Sequence, residues 1–223
     1  MGTITRNFAN NLTTSGLLKP TAFNNDSFDN VTAVPSGSVE TGAMQFISSA
    51  TASASASIEF TSGIDSTYKE YVFYFVNIHA GTTLVNFTFQ ASTDSGSNYN
   101  TTVTSTAFQA YHREDGGDYL FGYNGSVDKA QATDFIRLQA GSQLGTGNDE
   151  NFCGYLHLYN PSSTTFVKHW TAVSNLNDLN SPGYSVNSFL AGYFNTTSAI
   201  DAVKFQMDSG NIDAGQILLF GIN

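Results

Sequence analysis

From Ile58 to Ile222 the chain is a succession of strand-length apolar runs, each closed by turn residues. No window carries a sustained 3.6-residue apolar period, so helices are excluded as the main building block. "LVNFTFQAST" alternates, with Val85, Phe87, Phe89 and Ala91 expected inward and Asn86, Thr88 and Gln90 outward. "YKEYVFYFVNIHA" is apolar on both faces and predicts a central strand covered on both sides. "TTVTSTAFQAYH", "YLFGY", "TDFIRLQA", "NFCGYLHLYN", "TTFVKHWTAVSN", "SFLAGYFN", "AIDAVKFQMD" and "QILLFGI" complete the series. Between them stand "DSGSNYN", "REDGGD", "NPSS" and "LNDLNSPGYS", which are turn and loop chemistry. Asp149 and Glu150 before an apolar run resemble a helix start, but Gly154 and the neighbouring aromatics favour a strand. About eight to ten strands with turns roughly every 8–12 residues predict an all-β fold. The expected form is an antiparallel β-sandwich of jelly-roll type, preceded by an extended N-terminal arm.

The two ends of the sequence differ. "SGNIDAGQILLFGIN" leads from a Gly/Asn/Asp turn into a final strand, with Ile217 and Leu219 on one face and Leu218 and Phe220 on the other. Residues 1–42 lack either period and carry isolated apolar residues: Phe8, Leu12, Leu17, Leu18, Phe23 and Phe28. A disordered tail would hold fewer Phe and Leu. The expected organisation is therefore an anchoring arm over 1–42, docked on another surface, and a sandwich domain over 43–223. An unanchored leader, or irregular strands added to the same domain, is the alternative. "ISSATASASASIEF" has period two with small residues on both faces, which predicts a tightly packed edge or inter-chain strand, since Ile58 and Phe60 continue the alternation; a low-complexity linker is the alternative.

Charge narrows the function classes. Only 12% of the 223 residues are charged, the net charge is -10, and Lys and Arg number eight. Such a chain neutralises few phosphates, so neither nucleic acid nor an anionic membrane is an expected partner. The surface is instead Ser, Thr, Asn and Gly, as in β-rich extracellular or virion proteins. The single Cys153 excludes an internal disulfide and reads as a small core residue. "MGTITRNFANN" lacks the apolar core of a signal peptide, and Arg6 stands where a myristoylation motif wants Ser or Thr.

No nucleophile, phosphate or metalloprotease motif occurs, and no enzymatic activity is expected. The four histidines, His79, His112, His157 and His169, are scattered on strands. "HREDGGD" places Glu114, Asp115 and Asp118 within five residues. Three readings stay open for them: a solvated acidic turn, a Ca²⁺ site built from carboxylates and loop carbonyls, or a glycosidase-like pair. Otherwise no cofactor is expected. Tyr111, Tyr119, Tyr123 and Tyr184 lie near loops, where their rings could stack on sugars of a host-surface glycan.

"MGTITRNFANN", "FTFQASTDSGSNYN", "AYHRED", "GYLHLYNPSSTTFVKHW" and "NTTSAIDAVKFQMDSGNIDAGQILLFGI" resemble blocks of structural proteins of marine tailed bacteriophages. The resemblance spans most of the chain. It implies a non-enzymatic tail-fibre, head-fibre or capsid-decoration component, made in the host cytoplasm and exposed on the virion. Other virion proteins would hold the arm, and a homotrimer is implied by analogy with fibres. A secreted carbohydrate-binding module is the alternative from another class.

Overall fold

A computed structural model describes residues 43–223. The arm residues Phe8, Leu12, Leu17, Leu18, Phe23 and Phe28 lie outside the described residues. Twelve strands follow in order: β1 (Met44–Thr51), β2 (Ile58–Phe60), β3 (Glu70–Ala80), β4 (Phe87–Ser92), β5 (Val103–Arg113), β6 (Tyr119–Tyr123), β7 (Ile136–Arg137), β8 (Phe152–Tyr159), β9 (Lys168–Asn177), β10 (Tyr184–Phe194), β11 (Ala202–Met207) and β12 (Ile212–Ile222). They form an eight-stranded sheet, β1-β12-β3-β8-β9-β10-β5-β6, and a four-stranded sheet, β2-β11-β4-β7. Every pairing is antiparallel. The molecule is an antiparallel β-sandwich, and no described residue is helical.

The core lies between the sheets. Tyr71, Phe73 and Phe75 of β3, Trp170 of β9 and Ile217 and Leu219 of β12 come from the large sheet. Phe60, Phe87, Phe89 and Phe205 come from the small one. Phe205 is the hub: its ring centroid lies 5.1–6.3 Å from those of Phe60, Phe73, Phe75, Phe87 and Phe89. Most of these contacts are edge-to-face, the arrangement that ring quadrupoles favour. Trp170 packs edge-on against Phe89 at 5.1 Å, over Gly192. A Cβ on Gly192 would lie 2.6 Å from the indole, so a larger residue there displaces the tryptophan.

Several expectations need correction. The polar face of β4 is not solvated: Asn86, Thr88 and Gln90 are buried. The chain between β6 and β8 covers them, and each finds a partner. The Gln90 amide donates to the carbonyls of Thr133 and Asp134, Thr88 to that of Gln206, and Asn86 to the Asp208 carboxylate. The second face of β3 is covered only in part: Val72 is buried there, Tyr74 is half-buried and Val76 is exposed. "TDFIRLQA" supplies only the two-residue β7. Cys153 is half-buried on the outer face of the large sheet, 3.3 Å from the amide nitrogen of Asn77, rather than in the core.

The Ala/Ser run is an edge strand only in its first part: Ser48–Thr51 close β1, at the edge of the large sheet, and the alternation does not continue as one strand to Phe60. Ala52, Ala54 and Ser55 donate to carbonyls of β12 at 2.8–3.0 Å. Ala54 takes φ +50°, and after Ser55 the chain leaves β12 and crosses to the small sheet as β2. In the final hairpin only Gly210 and its neighbours form the turn, and Asp213–Gly215 already belong to β12. Gly215, at φ +111°, makes a bulge opposite Asn77, and an added Cβ would lie 2.5 Å from the Asn77 carbonyl oxygen.

One ion pair ties the small sheet together across its edge. Lys204 Nζ on β11 is 3.0 Å from Glu59 on β2, and Tyr99 donates to the same carboxylate at 3.1 Å. Partial burial pushes the Glu59 carboxyl up, but Lys204, Tyr99 and Ser57 together hold it below its ordinary value of 4.5. Burial and this carboxylate push the Tyr99 phenol up to about 12. The unfolded chain therefore binds the Glu59 proton more readily, and the stabilisation, present above 4.5, is lost as pH falls through the lowered value. Glu59→Gln is expected to melt lower than the parent at neutral pH. It should also lose part of the parent's decline below pH 4.5, as read by thermal melts from pH 7 to pH 3.

Candidate functional site

Where β5 ends and β10 begins, the inward-facing Gln109, Tyr111 and Tyr184 are only half-buried. A polar cleft of about 430 Å³ opens there, lined among others by Gln109, Tyr111, Arg113, Asp118, Asp178 and Tyr184. Residues 178–184, between β9 and β10, form one wall, and Gly141 and Ser142 another.

Asp178 builds the first wall. It is buried, and its carboxylate accepts from the amides of Asn180 and Tyr184 at 3.2 and 3.1 Å, from Ser142 Oγ at 3.2 Å, and from the Asn180 side chain. Four donors compensate its desolvation. They also fix the loop, which contains a cis Ser181–Pro182 bond. The β5–β6 turn is tied to the same loop, because Glu114 N–H donates to the Gly183 carbonyl at 2.9 Å.

Tyr111 and Tyr184 meet edge-to-face at 5.3 Å, and the Arg113 guanidinium lies 6.0 Å from the Tyr184 ring centre. The Tyr184 hydroxyl donates to Asp118 at 3.4 Å. Desolvation, then the Asp118 carboxylate, raises the Tyr111 phenol above its ordinary value, so it stays a donor throughout the physiological range. Arg113 bonds Asp115 at 2.6 Å and is held more firmly protonated by that carboxylate and by Tyr184. On the cleft wall, Gln109 Oε1 is buried without a partner among the described residues. The site thus presents two phenols, one cation, one accessible carboxylate and an unused acceptor. That set suits a neutral polyhydroxylated ligand better than an anion.

The three loop carboxylates diverge. Asp115 turns to Arg113 and the Gly117 amide, Glu114 accepts from the Gly183 amide at 3.3 Å, and Asp118 faces Tyr184. Among the described residues no group of three His, Cys, Asp or Glu converges as a metal shell would. The four tyrosines separate into two pairs. Tyr111 and Tyr184 line the cleft, whereas Tyr119 and Tyr123 stand on β6, Tyr119 over His112 and Tyr123 bonded to Asp128. The histidines stay apart, His157 against Glu70, His79 against Asp213 and His169 against Tyr193.

Sequence reasoning missed Gln109, Arg113, Ser142, Asp178 and Asn180. The Asp/Asn spacing of "NDLNSPG" is the one local signal, since such residues cap their own turns. No family model, characterised protein or solved structure matches the chain at a significant level.

Proposed function

We propose that this protein is a non-enzymatic structural component of a bacteriophage particle. In this reading its jelly-roll-like sandwich is displayed outward, residues 1–42 hold it to other virion proteins, and the cleft contacts neutral sugars of the host surface. The resemblance of five sequence blocks supports the particle role. The observation that carries the surface role is the Tyr111–Tyr184 cleft: aromatic edges beside mixed-sign polar groups, in a frame fixed by buried Asp178. Carboxylates that each turn to a different partner favour binding over hydrolysis. The same cleft would serve a secreted carbohydrate-binding module, which is the second reading.

Particle incorporation separates the two. The full chain is expected to copurify with particles, and a chain beginning at Gly42 to keep its melting temperature but lose incorporation. Tyr184→Ala should be incorporated normally while binding to a panel of neutral glycans falls roughly tenfold. A chain that never enters particles yet binds glycan through Tyr184 would establish the second reading. Absence of both behaviours would defeat both.

A further inference from the structure

Among the described residues β6 is largely exposed on both faces and has no neighbour on one edge. Tyr119, Phe121 and Tyr123 are 76%, 74% and 63% exposed on the outer face, and Leu120 is 43% exposed on the other. Among the described residues only β5 pairs with it. The ladder fixes which backbone groups are unused. Arg113 N–H donates to the Asp118 carbonyl and Asn124 N–H to that of Ala107. In that phase Leu120 and Gly122 bond to β5, and Tyr119, Phe121 and Tyr123 turn N–H and C=O to the free edge. The strand "YLFGY" carries no charge, proline or bulge, the devices by which edge strands avoid partners.

We propose that β6 is the contact between two copies of this chain, pairing antiparallel about a two-fold axis at Phe121 and continuing the large sheet from one copy into the next. The strand is self-complementary in that register. The three residues with outward backbone groups face one another: Phe121 meets Phe121 of the second copy, and Tyr119 meets its Tyr123. On the opposite face Leu120 meets Gly122, so the bulky side chain lies over the small one. Asp118 meets Asn124, so no like charges face each other despite a net charge of -10 per chain. The six aromatic rings form one ladder on the outer face, extending the stack of Phe108 on Phe189 at 4.9 Å. The exposed side chains of β6 amount to roughly 500 Å² per copy; edge pairing covers only part of that and buries less than the ~1,000 Å² at which specific interfaces begin, so the main-chain ladder and the aromatic ladder carry the contact. A small interface predicts a concentration-dependent dimer. The two-fold pairing replaces the trimer expected from resemblance and is independent of the particle role.

Sedimentation of the full chain across a dilution series tests this. A monomer–dimer equilibrium is expected. Phe121→Lys should weaken it by roughly 100-fold or more, with an unchanged melting temperature, because the two lysines would face each other. Register is read by oxidation in a Cys153→Ser background. Phe121→Cys should cross-link to itself, whereas Tyr119→Cys should cross-link only when mixed with Tyr123→Cys. A dimer or trimer indifferent to Phe121→Lys would overturn the proposal, as would a monomer at every concentration. Dimerisation that appears only when residues 1–42 are removed would also overturn it, by showing that the chain covers its own edge.

Discussion

Removal of Ile217–Asn223 is expected to leave the protein insoluble. β12 lies between β1 and β3, so the deletion cuts two ladders, from Met44–Ala50 on one side and Glu70–Phe75 on the other. Ile217 and Leu219 are fully buried in the core, and losing one such side chain typically costs about 2–5 kcal/mol. Two of them, with a strand's hydrogen bonds, approach the whole stability of about 5–15 kcal/mol of an ordinary domain. The deletion also exposes β3, whose "YVFYF" becomes a long apolar edge open to aggregation. Leu218 and Phe220 add less: they are half-buried on the outer face, where Phe220 packs edge-on to Phe46 and Tyr74 at 5.6 and 5.7 Å. Soluble yield and thermal melting, beside the chain that begins at Gly42, measure the effect. A deletion that melts within a couple of degrees of the parent would show the strand to be dispensable.

Phe205→Ala is expected to be the most damaging single substitution of the small sheet. Five rings surround Phe205, three of them on the same sheet and two on β3 opposite, so neither sheet alone can collapse into the space. A buried Phe→Ala change costs about 3–5 kcal/mol, and in a domain of this size each kcal/mol moves Tm by roughly 2–4 °C. A fall of about 6–20 °C is expected, with the denaturant midpoint falling in step. Phe166→Ala is the matched control, because that ring is exposed and removal of an exposed side chain stays within about 0.5 kcal/mol. If both variants melt alike, Phe205 is not the hub.

The elements were legible where one face of a strand meets the core and the other meets water. β9, β10 and β12 follow their alternation, and the inward half of β4 is as read, because period two maps directly onto the two faces of a sheet. The failures share one cause: whether a face is covered is set by segments far along the chain. Nothing in "NFTFQ" tells that the segment before β8 will lie over Thr88 and Gln90. The apolar outer face of β3 predicts a second buried side, whereas only Val72 is buried there and Tyr74 joins a row with Tyr155 and Phe220. Lys168 sits at an inward position of β9, fully buried, with Nζ donating to the carbonyls of Phe166 and Thr196 at 3.0 and 3.2 Å. Only loops on both sides of it make that burial tolerable.

The cleft divides in the same way. Tyr111 and Tyr184 stand out in the sequence as aromatic residues beside loop segments. Their meeting, and the distance of Tyr119 and Tyr123 from them, follows from the β5–β10 register, which sets Tyr184 opposite Arg113 and Val186 opposite Tyr111. By itself the sequence determined that the chain is built of strands and which residues of β4, β9, β10 and β12 face inward, because these depend on neighbours one to four residues away. The split into eight and four strands, the half-buried ends of β5 and β10, and the edge of β6 left unpaired among the described residues were decided by the tertiary structure. Sheet order rests on pairings such as β10 with β5 and β12 with β3, between segments far apart in the chain. Local pattern carries no record of such pairings, since any two strands of matching polarity satisfy the same hydrogen bonds.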